Sequence, residues 1–314
     1  MGAEPVKVNV ENFVRAETDR MLPGIAATAG GSNRWRHVRE PAPLDEQTVI
    51  RMNRDTLYST AVVDISQGAT LSIPDAGNRY LSVMIVNQDH YINDVLHEPG
   101  TYELTLDRYD TPWVVVAARI LVDPGDPADV AAVAAIQDSL ILSTPSTATF
   151  TAPEYDKKSL DFTRDALLEL ARGITDYTGA FGSREEVDPV KHLIGTAAGW
   201  GGLPSSEAFY INVDPGLPVA DFAFTARNVP VDAFWSVSVY NAEGYFEPND
   251  KGVNSVNSVT AVKDDDGAVT VRFGSGDEPN TIPIVEGWNY AVRLYRPRPE
   301  VLDGSWTFPA AAPA

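Results

Sequence analysis

The chain runs to 314 residues, 44% of them hydrophobic, with 44 Asp and Glu against 24 Lys and Arg and a formal charge of −20. That length holds one large or two medium domains, and that charge argues against binding nucleic-acid phosphates or anionic membrane surfaces. The absence of cysteine excludes disulfides, thiol nucleophiles and thiolate-bound metals. No long apolar run marks a membrane span. The opening MGAEPVKVNVENFVRAE lacks the basic patch and apolar stretch of a secretory signal. A cytoplasmic location is expected, or a periplasmic or secreted one if a signal was trimmed. The expected partner is a small-molecule ligand, with homo-oligomer formation left open.

Residues 8–22 place Val10, Phe13, Val14 and Met21 on roughly one helical face, and Pro23-Gly24 reads as the stop. Residues 26–43 read as an irregular loop. Arg34, Arg36, His37 and Arg39 cluster there, and surface ion pairing accounts for them. Strands are expected at 57–65, 69–73, 79–87, 101–106 and 113–121, separated by turn signals such as Ser66-Gln67-Gly68 and Asp110-Thr111-Pro112. This spacing suits an antiparallel sandwich or barrel rather than a βαβ fold. Helices are expected at 127–140, 159–178 and 189–198, with Asp126-Pro127 and Asp188-Pro189 as N-cap and first-turn pairs. The following Gly199-Trp200-Gly201-Gly202 lacks the Lys-Ser/Thr of a phosphate loop. Strands resume at 208–213, 220–227, 233–241, 258–262, 268–273 and 289–296. Asp264-Asp265-Asp266-Gly267 reads as a solvated hairpin turn joining two of them; it lacks the alternating ligands of a calcium loop. Residues 310–314 read as a frayed tail.

IRMNRDTLYSTAVVDI, RYLSVMIVNQDHYI and EPGTYEL resemble the N-terminal module of bacterial proteins grouped as domain of unknown function 1254. VPVDAFWSVSVYNAEGYFEPN, VKDDDGAVTVRF and GWNYAVRLYRPRPEVLDGSWTFP resemble its usual partner, domain of unknown function 1214. The resemblance spans roughly residues 45–121 and 208–309, and Arg296 stands where an aromatic is common. It implies two β-rich, jelly-roll-like modules with helices between or beside them, and no agreed reaction. The expected fold is mainly β (α+β): two jelly-roll-like antiparallel β-sandwich modules with a helical segment between them. The expected boundaries are an N-terminal helix and loop (1–44), an N-terminal β module (45–125), a helical connection (126–205) and a C-terminal β module (206–314).

Asn53-Arg54-Asp55-Thr56, followed by Tyr58, leads a dense polar run into a core strand, which is costly unless its members are paired. As a ligand site, Arg54 would bind a carboxylate or sugar hydroxyl and Asp55 would act as base or acceptor. As structure, the run is a buried ion pair fixing where the strand begins. At the end of strand 79–87, Asp89 and His90 read either as an acid–base pair or as turn polarity with a satisfied histidine. His90 and His97 with Asp94 or Glu98 match no zinc signature, so no metal and no cofactor is expected. Arg293, in mid-strand, faces either solvent or a polar cavity. Trp235, Tyr240, Tyr245, Phe246 and Trp288 form either a sugar platform or core. Ser59, Ser236 and Ser238 lack the Gly-x-Ser-x-Gly elbow of serine hydrolases.

The expected function is a metal-independent enzyme acting on a small polar organic molecule, a sugar or carboxylate, in a pocket between the modules. Asp89, His90 and Asp55 would be catalytic; Arg54, Tyr58, Tyr240 and Arg293 would bind the ligand. The alternatives are a non-catalytic binder of the same carbohydrate-like ligand class, and a structural or oligomerising module.

Overall fold

Runs of β-branched and aromatic residues fix most of the strands in the computed structural model, which describes residues 4–47, 49–174 and 176–314. In chain order these are α1 (Phe13–Thr28), β1 (Arg36–His37), β2 (Thr56–Asp64), β3 (Ala69–Ile73), β4 (Leu81–Asn87), β5 (Ile92–Leu96), β6 (Gly100–Leu104), α2 (Leu106–Tyr109), β7 (Trp113–Leu121), α3 (Pro127–Asp138), β8 (Ile141–Ser143), α4 (Lys157–Ala171) and α5 (Pro189–Gly199). There follow β9 (Ala208–Val213), β10 (Phe222–Ala226), β11 (Trp235–Tyr240), β12 (Ser255–Asn257), β13 (Val269–Phe273), β14 (Thr281–Ile282), β15 (Asn289–Tyr295), α6 (Pro299–Leu302) and β16 (Ala312–Pro313). Among the described residues this makes 16 strands in four sheets and 6 helices, a mainly antiparallel, mainly β arrangement. No helix among them is long and apolar enough to cross a membrane.

The chain divides into two compact units. The first comprises Met1–Arg39, Tyr58–Ile120 and Ala132–Ser205; the second comprises Glu40–Leu57, Leu121–Ala131 and Ser206–Ala314. In the second unit, two four-stranded sheets, β14-β13-β10-β16 and β12-β11-β15-β9, form a sandwich. Phe222, Phe224, Val271 and Phe273 of one sheet share a buried core with Trp235, Val237, Val292 and Leu294 of the other. Because side chains alternate along a strand, Ser236, Ser238, Tyr240, Arg293 and Tyr295 lie on the other face of β11 and β15. They too are buried.

The first unit holds most of a five-stranded sheet, β1-β2-β7-β4-β5, and a three-stranded one, β6-β3-β8. All seven residues of β4 are buried between β7 and β5, as its unbroken apolar run requires. Helices α1, α4 and α5 pack through Phe13, Ala16, Leu160, Leu167, Ile194 and Ala197. Asp188 caps α5 by accepting from the amides of Val190 and Lys191, both at 2.9 Å. Replacing Asp188 with alanine should lower stability by about 0.5–2 kcal/mol, read from the urea midpoint.

Several expected elements shift. Helix α1 does not stop at Pro23-Gly24; it carries Pro23 inside and runs to Thr28, because buried Phe13, Ala16, Leu22 and Ala26 hold both halves to the body. Its stop is Gly30, at φ +75°, where the Gly30 and Gly31 amides donate to the carbonyls of Ala27 and Ala26. No strand forms at 258–262. Asn257 Oδ1 accepts from the amides of Val259 and Thr260, which turns the chain out of β12. The Asp264–Gly267 turn forms, with the Gly267 amide donating to the Asp264 carbonyl, but it leads into β13 without a strand before it. Helix α4 ends at Ala171 rather than continuing to 178. Residues 1–3, Thr48 and Thr175, which fall in expected spans, lie outside the described residues.

Candidate functional site

The seven residues expected to form one site divide between the two units. Arg54, Asp55, Tyr240 and Arg293 belong to the second; Tyr58, Asp89 and His90 belong to the first.

In the second unit, segment 51–55 crosses the outer face of β11 and β15 and is tied down by their buried polar side chains. Arg293, 3% exposed, donates through Nη1 to Ser238 Oγ at 2.9 Å. Its Nη2 donates to Tyr240 Oη at 2.7 Å and to the carbonyls of Arg51 and Met52 at 2.7 and 3.3 Å. Tyr240 Oη in turn donates to the Met52 carbonyl at 2.9 Å. Ser236 Oγ donates to Asp55 Oδ2 at 2.5 Å, and Tyr295 Oη donates to the same oxygen at 3.3 Å. Asn53 Nδ2 completes the chain on Tyr295 Oη at 2.9 Å. Burial pushes the Asp55 carboxyl up, and the Arg293 charge with the Ser236 and Tyr295 hydrogen bonds only partly offsets it. Burial works against the Arg293 charge as well, but the oxygens of Tyr240, Asp55 and Tyr295 outweigh it and hold the guanidinium above its ordinary value.

This arrangement gives most of the expected site residues partners within the protein. Asp55, 2% exposed, is committed to a serine and a tyrosine, so it has no open side from which to act as base. Arg293 faces neither solvent nor a cavity; both of its terminal nitrogens are committed within the protein. Tyr240 packs on Phe246 at 4.6 Å between centroids and bonds to segment 51–55. Trp235 and Trp288 are sandwich core. Arg54 is half-buried, which lowers its pKa, and makes no hydrogen bond or ion pair among the described residues.

In the first unit, the Gln88–Tyr91 turn is built on Asn87, whose Oδ1 accepts from the amides of Asp89 and Tyr91 at 2.9 and 3.0 Å. The turn holds His90 at φ +59°, an uncommon conformation for a residue with a Cβ. Asp89 does not pair with His90. Its carboxylate takes Arg15 of α1, with Nη2 at 2.7 Å. His90 Nε2 accepts from the Gly201 amide at 2.9 Å, so Nδ1 carries the proton and donates to Thr196 Oγ1 at 2.8 Å. The ring is fully buried, stacked between His192 at 5.6 Å and Trp200 at 5.4 Å. Burial first, and His192 second, push it down to about 3. Both ring nitrogens are bonded within the protein rather than turned toward Asp89. Tyr58 lies under the Arg119 guanidinium, 5.4 Å from ring centroid to guanidinium carbon. Asp94 takes Arg108 and the Tyr109 hydroxyl, and His97 Nδ1 faces the Leu81 carbonyl at 3.1 Å.

The cavity that remains was not marked by any motif. A cleft of about 370 Å³ opens in the first unit between α1, residues 152–157 and α4. Pro23, Ala152, Pro153 and Leu160 supply its apolar walls, and Arg20, Arg164, Asp19, Lys157 and Asp161 its charged ones. Behind it lies Glu17, 1% exposed. Arg20 grips Glu17 with both Nε (2.9 Å) and Nη2 (2.6 Å), and Arg164 Nε reaches the same carboxylate at 3.2 Å. Asp19, 2% exposed, accepts from Gln88 Nε2 and Tyr155 Oη, both at 2.8 Å. Burial and Asp19 both raise the Tyr155 pKa, so it remains a phenol that donates. The only sequence sign was two acids, Glu17 and Asp19, inside an amphipathic helix. A groove of equal volume in the second unit has its polar groups bonded locally: Lys251 pairs with Asp277, Thr281 with the Glu278 carbonyl, and Asn280 with Val262.

Family models for a protein of unknown function (DUF1254) and a protein of unknown function (DUF1214) match residues 32–144 and 221–299, in that order. Among solved structures, the chain is similar to the VPA0106 protein from Vibrio parahaemolyticus, at 17% identity and a TM-score of 0.74 over 97% of each chain. It is also similar to an uncharacterised protein from Burkholderia cenocepacia, at 14% identity and a TM-score of 0.50, over 91% of this chain and 85% of that one. Likeness at these identities is one of fold alone. No curated protein matches the chain in sequence.

Proposed function

We infer, for a chain that belongs to the proteins pairing DUF1254 with DUF1214, that it binds a small polar organic molecule without transforming it, in the cleft of the first unit. One observation carries this reading. Arg20 and Arg164 are held by the buried Glu17 at the wall of a cleft that Pro23, Ala152, Pro153 and Leu160 also line. A few fixed polar groups converging on an apolar hollow are the usual makings of a small-ligand site, and about 370 Å³ lies at the small end of the range for such sites. The reading stays non-catalytic because Asp89 and His90 are each committed elsewhere, and Asp55 and Arg293 are locked into the clasp on β11 and β15.

A thermal-shift screen with sugars and organic acids tests it. A true ligand raises the melting temperature by mass action, with a stabilisation of about 2.7 kcal/mol at a concentration of 100 Kd. The half-buried Ala152 lines the cleft. Replacing it with tryptophan should fill the hollow and remove the shift while leaving the unliganded melting temperature near the wild-type value. A ligand that stabilises the Ala152→Trp protein as well as the wild type would place the site elsewhere.

A further inference from the structure

We propose that the ligand of this cleft is a small aliphatic monocarboxylate, its carboxylate held by Arg164 and Arg20 and its body seated on Pro23, Pro153 and Leu160. The proposal rests on the binding reading above and names the chemistry the cleft would select.

The guanidinium donors are only partly used within the protein. Arg20 spends Nε and Nη2 on Glu17, and Arg164 spends Nε alone. Among the described residues, no oxygen accepts from Arg164 Nη1 or Nη2, or from Arg20 Nη1. The side chains of Arg164 and Arg20 are 38% and 44% exposed, whereas Glu17 is 2%. The carboxylate that orients them is thus sealed behind, and unused donors remain on two planar groups. That geometry matches a two-oxygen anion better than a hydroxyl.

Two guanidiniums against one Glu17 make the arginine end of the cleft positive, while the lining as a whole, with Asp19, is neutral. Lys157 adds no net charge, because it is paired with Asp161. Asp19 is also part of the lining, its carboxylate oxygens accepting from Gln88 and Tyr155. A single carboxylate would sit against the two arginines, whereas a second would meet Asp19 and Asp161 of the same lining. Pro23 has no amide hydrogen, and like Ala152, Pro153 and Leu160 it offers a ligand no side-chain donor. The far part of the ligand therefore gains by being apolar, not hydroxylated.

The test is calorimetric titration of the full chain with sodium butyrate, sodium hexanoate, hexanamide, sodium succinate and glucose. Hexanoate should bind more tightly than butyrate, by about fourfold for each added methylene that is buried. Hexanamide, which keeps the shape and loses the charge, should bind at least about tenfold more weakly, and succinate more weakly than butyrate. Arg164→Gln should weaken hexanoate binding by about tenfold or more. Arg164→Lys keeps the charge beside Glu17 and removes the planar fork; it should lose most of the same affinity, and serves if the glutamine variant fails to fold. Glucose binding with hexanoate silent would overturn the carboxylate assignment and leave the binding reading standing. No heat from any of the five would bring down both. Hexanoate binding equally well to wild type and to the Arg164 variants would overturn the proposal by moving the ligand off the arginines.

Discussion

Arg293→Leu should unfold at a much lower urea concentration than the wild type, with a stability loss of about 3 kcal/mol or more from several orphaned acceptors. The substitution removes the donor to Ser238, Tyr240 and the carbonyls of Arg51 and Met52 together. Each of those acceptors then sits where water cannot easily replace the guanidinium, and an orphaned buried polar group costs about 1–3 kcal/mol. The loss also removes the positive charge that partly offsets burial at Asp55, so the Asp55 carboxyl should rise further. Asp55→Asn should by contrast cost little. An amide oxygen can still accept from Ser236 and Tyr295, and the Arg293 donors keep all their acceptors. The asymmetry between the two variants is the informative measurement. If Arg293→Leu and Asp55→Asn cost the same small amount, the network on β11 and β15 does not anchor segment 51–55.

The second large effect is a loss of stability in acid traceable to His90. Its folded-state pKa is pushed down to about 3 by burial and by His192, while an unfolded histidine titrates near 6.5. Above about pH 6.5 both states are neutral at this ring and its full contribution is present. As pH falls from there toward 3, the unfolded chain takes up a proton that the folded one refuses, and stability is lost at about 1.36 kcal/mol per pH unit. By pH 4.5 this amounts to about 2.7 kcal/mol. His90→Gln can still donate to Thr196 or accept from Gly201 and cannot titrate. It should be less stable than wild type at pH 7.5 and should close that gap by pH 4.5. Urea titrations at the two values measure it, and Trp200 stacked on His90 gives a nearby fluorescence reporter. Parallel pH profiles for the two proteins would show that His90 takes up a proton as readily in the folded state as in the unfolded chain.

The sequence by itself determined where most elements lie, because those signals are local. Alternation in AVTVRF and NYAVRLY writes β13 and β15, and Asp188-Pro189 writes the start of α5. It also carried both family segments in their order. Where a local rule failed, packing or a side-chain bond overruled it: buried α1 runs through Pro23, and Asn257 ends β12 before the expected strand. The sequence likewise marked Asn53–Thr56 and Asp89-His90 as unusually polar for their surroundings, but could not say what satisfied them. That was decided by partners far along the chain. Asp55 meets Ser236 across 181 positions, Arg293 meets the Arg51 carbonyl across 242, and Arg164 joins Arg20 on Glu17 across 147. Whether a buried charge is a tool or a fastener depends on what surrounds it in space. Pairing neutralises the cost of burial and uses up the donors that would otherwise be left for a ligand.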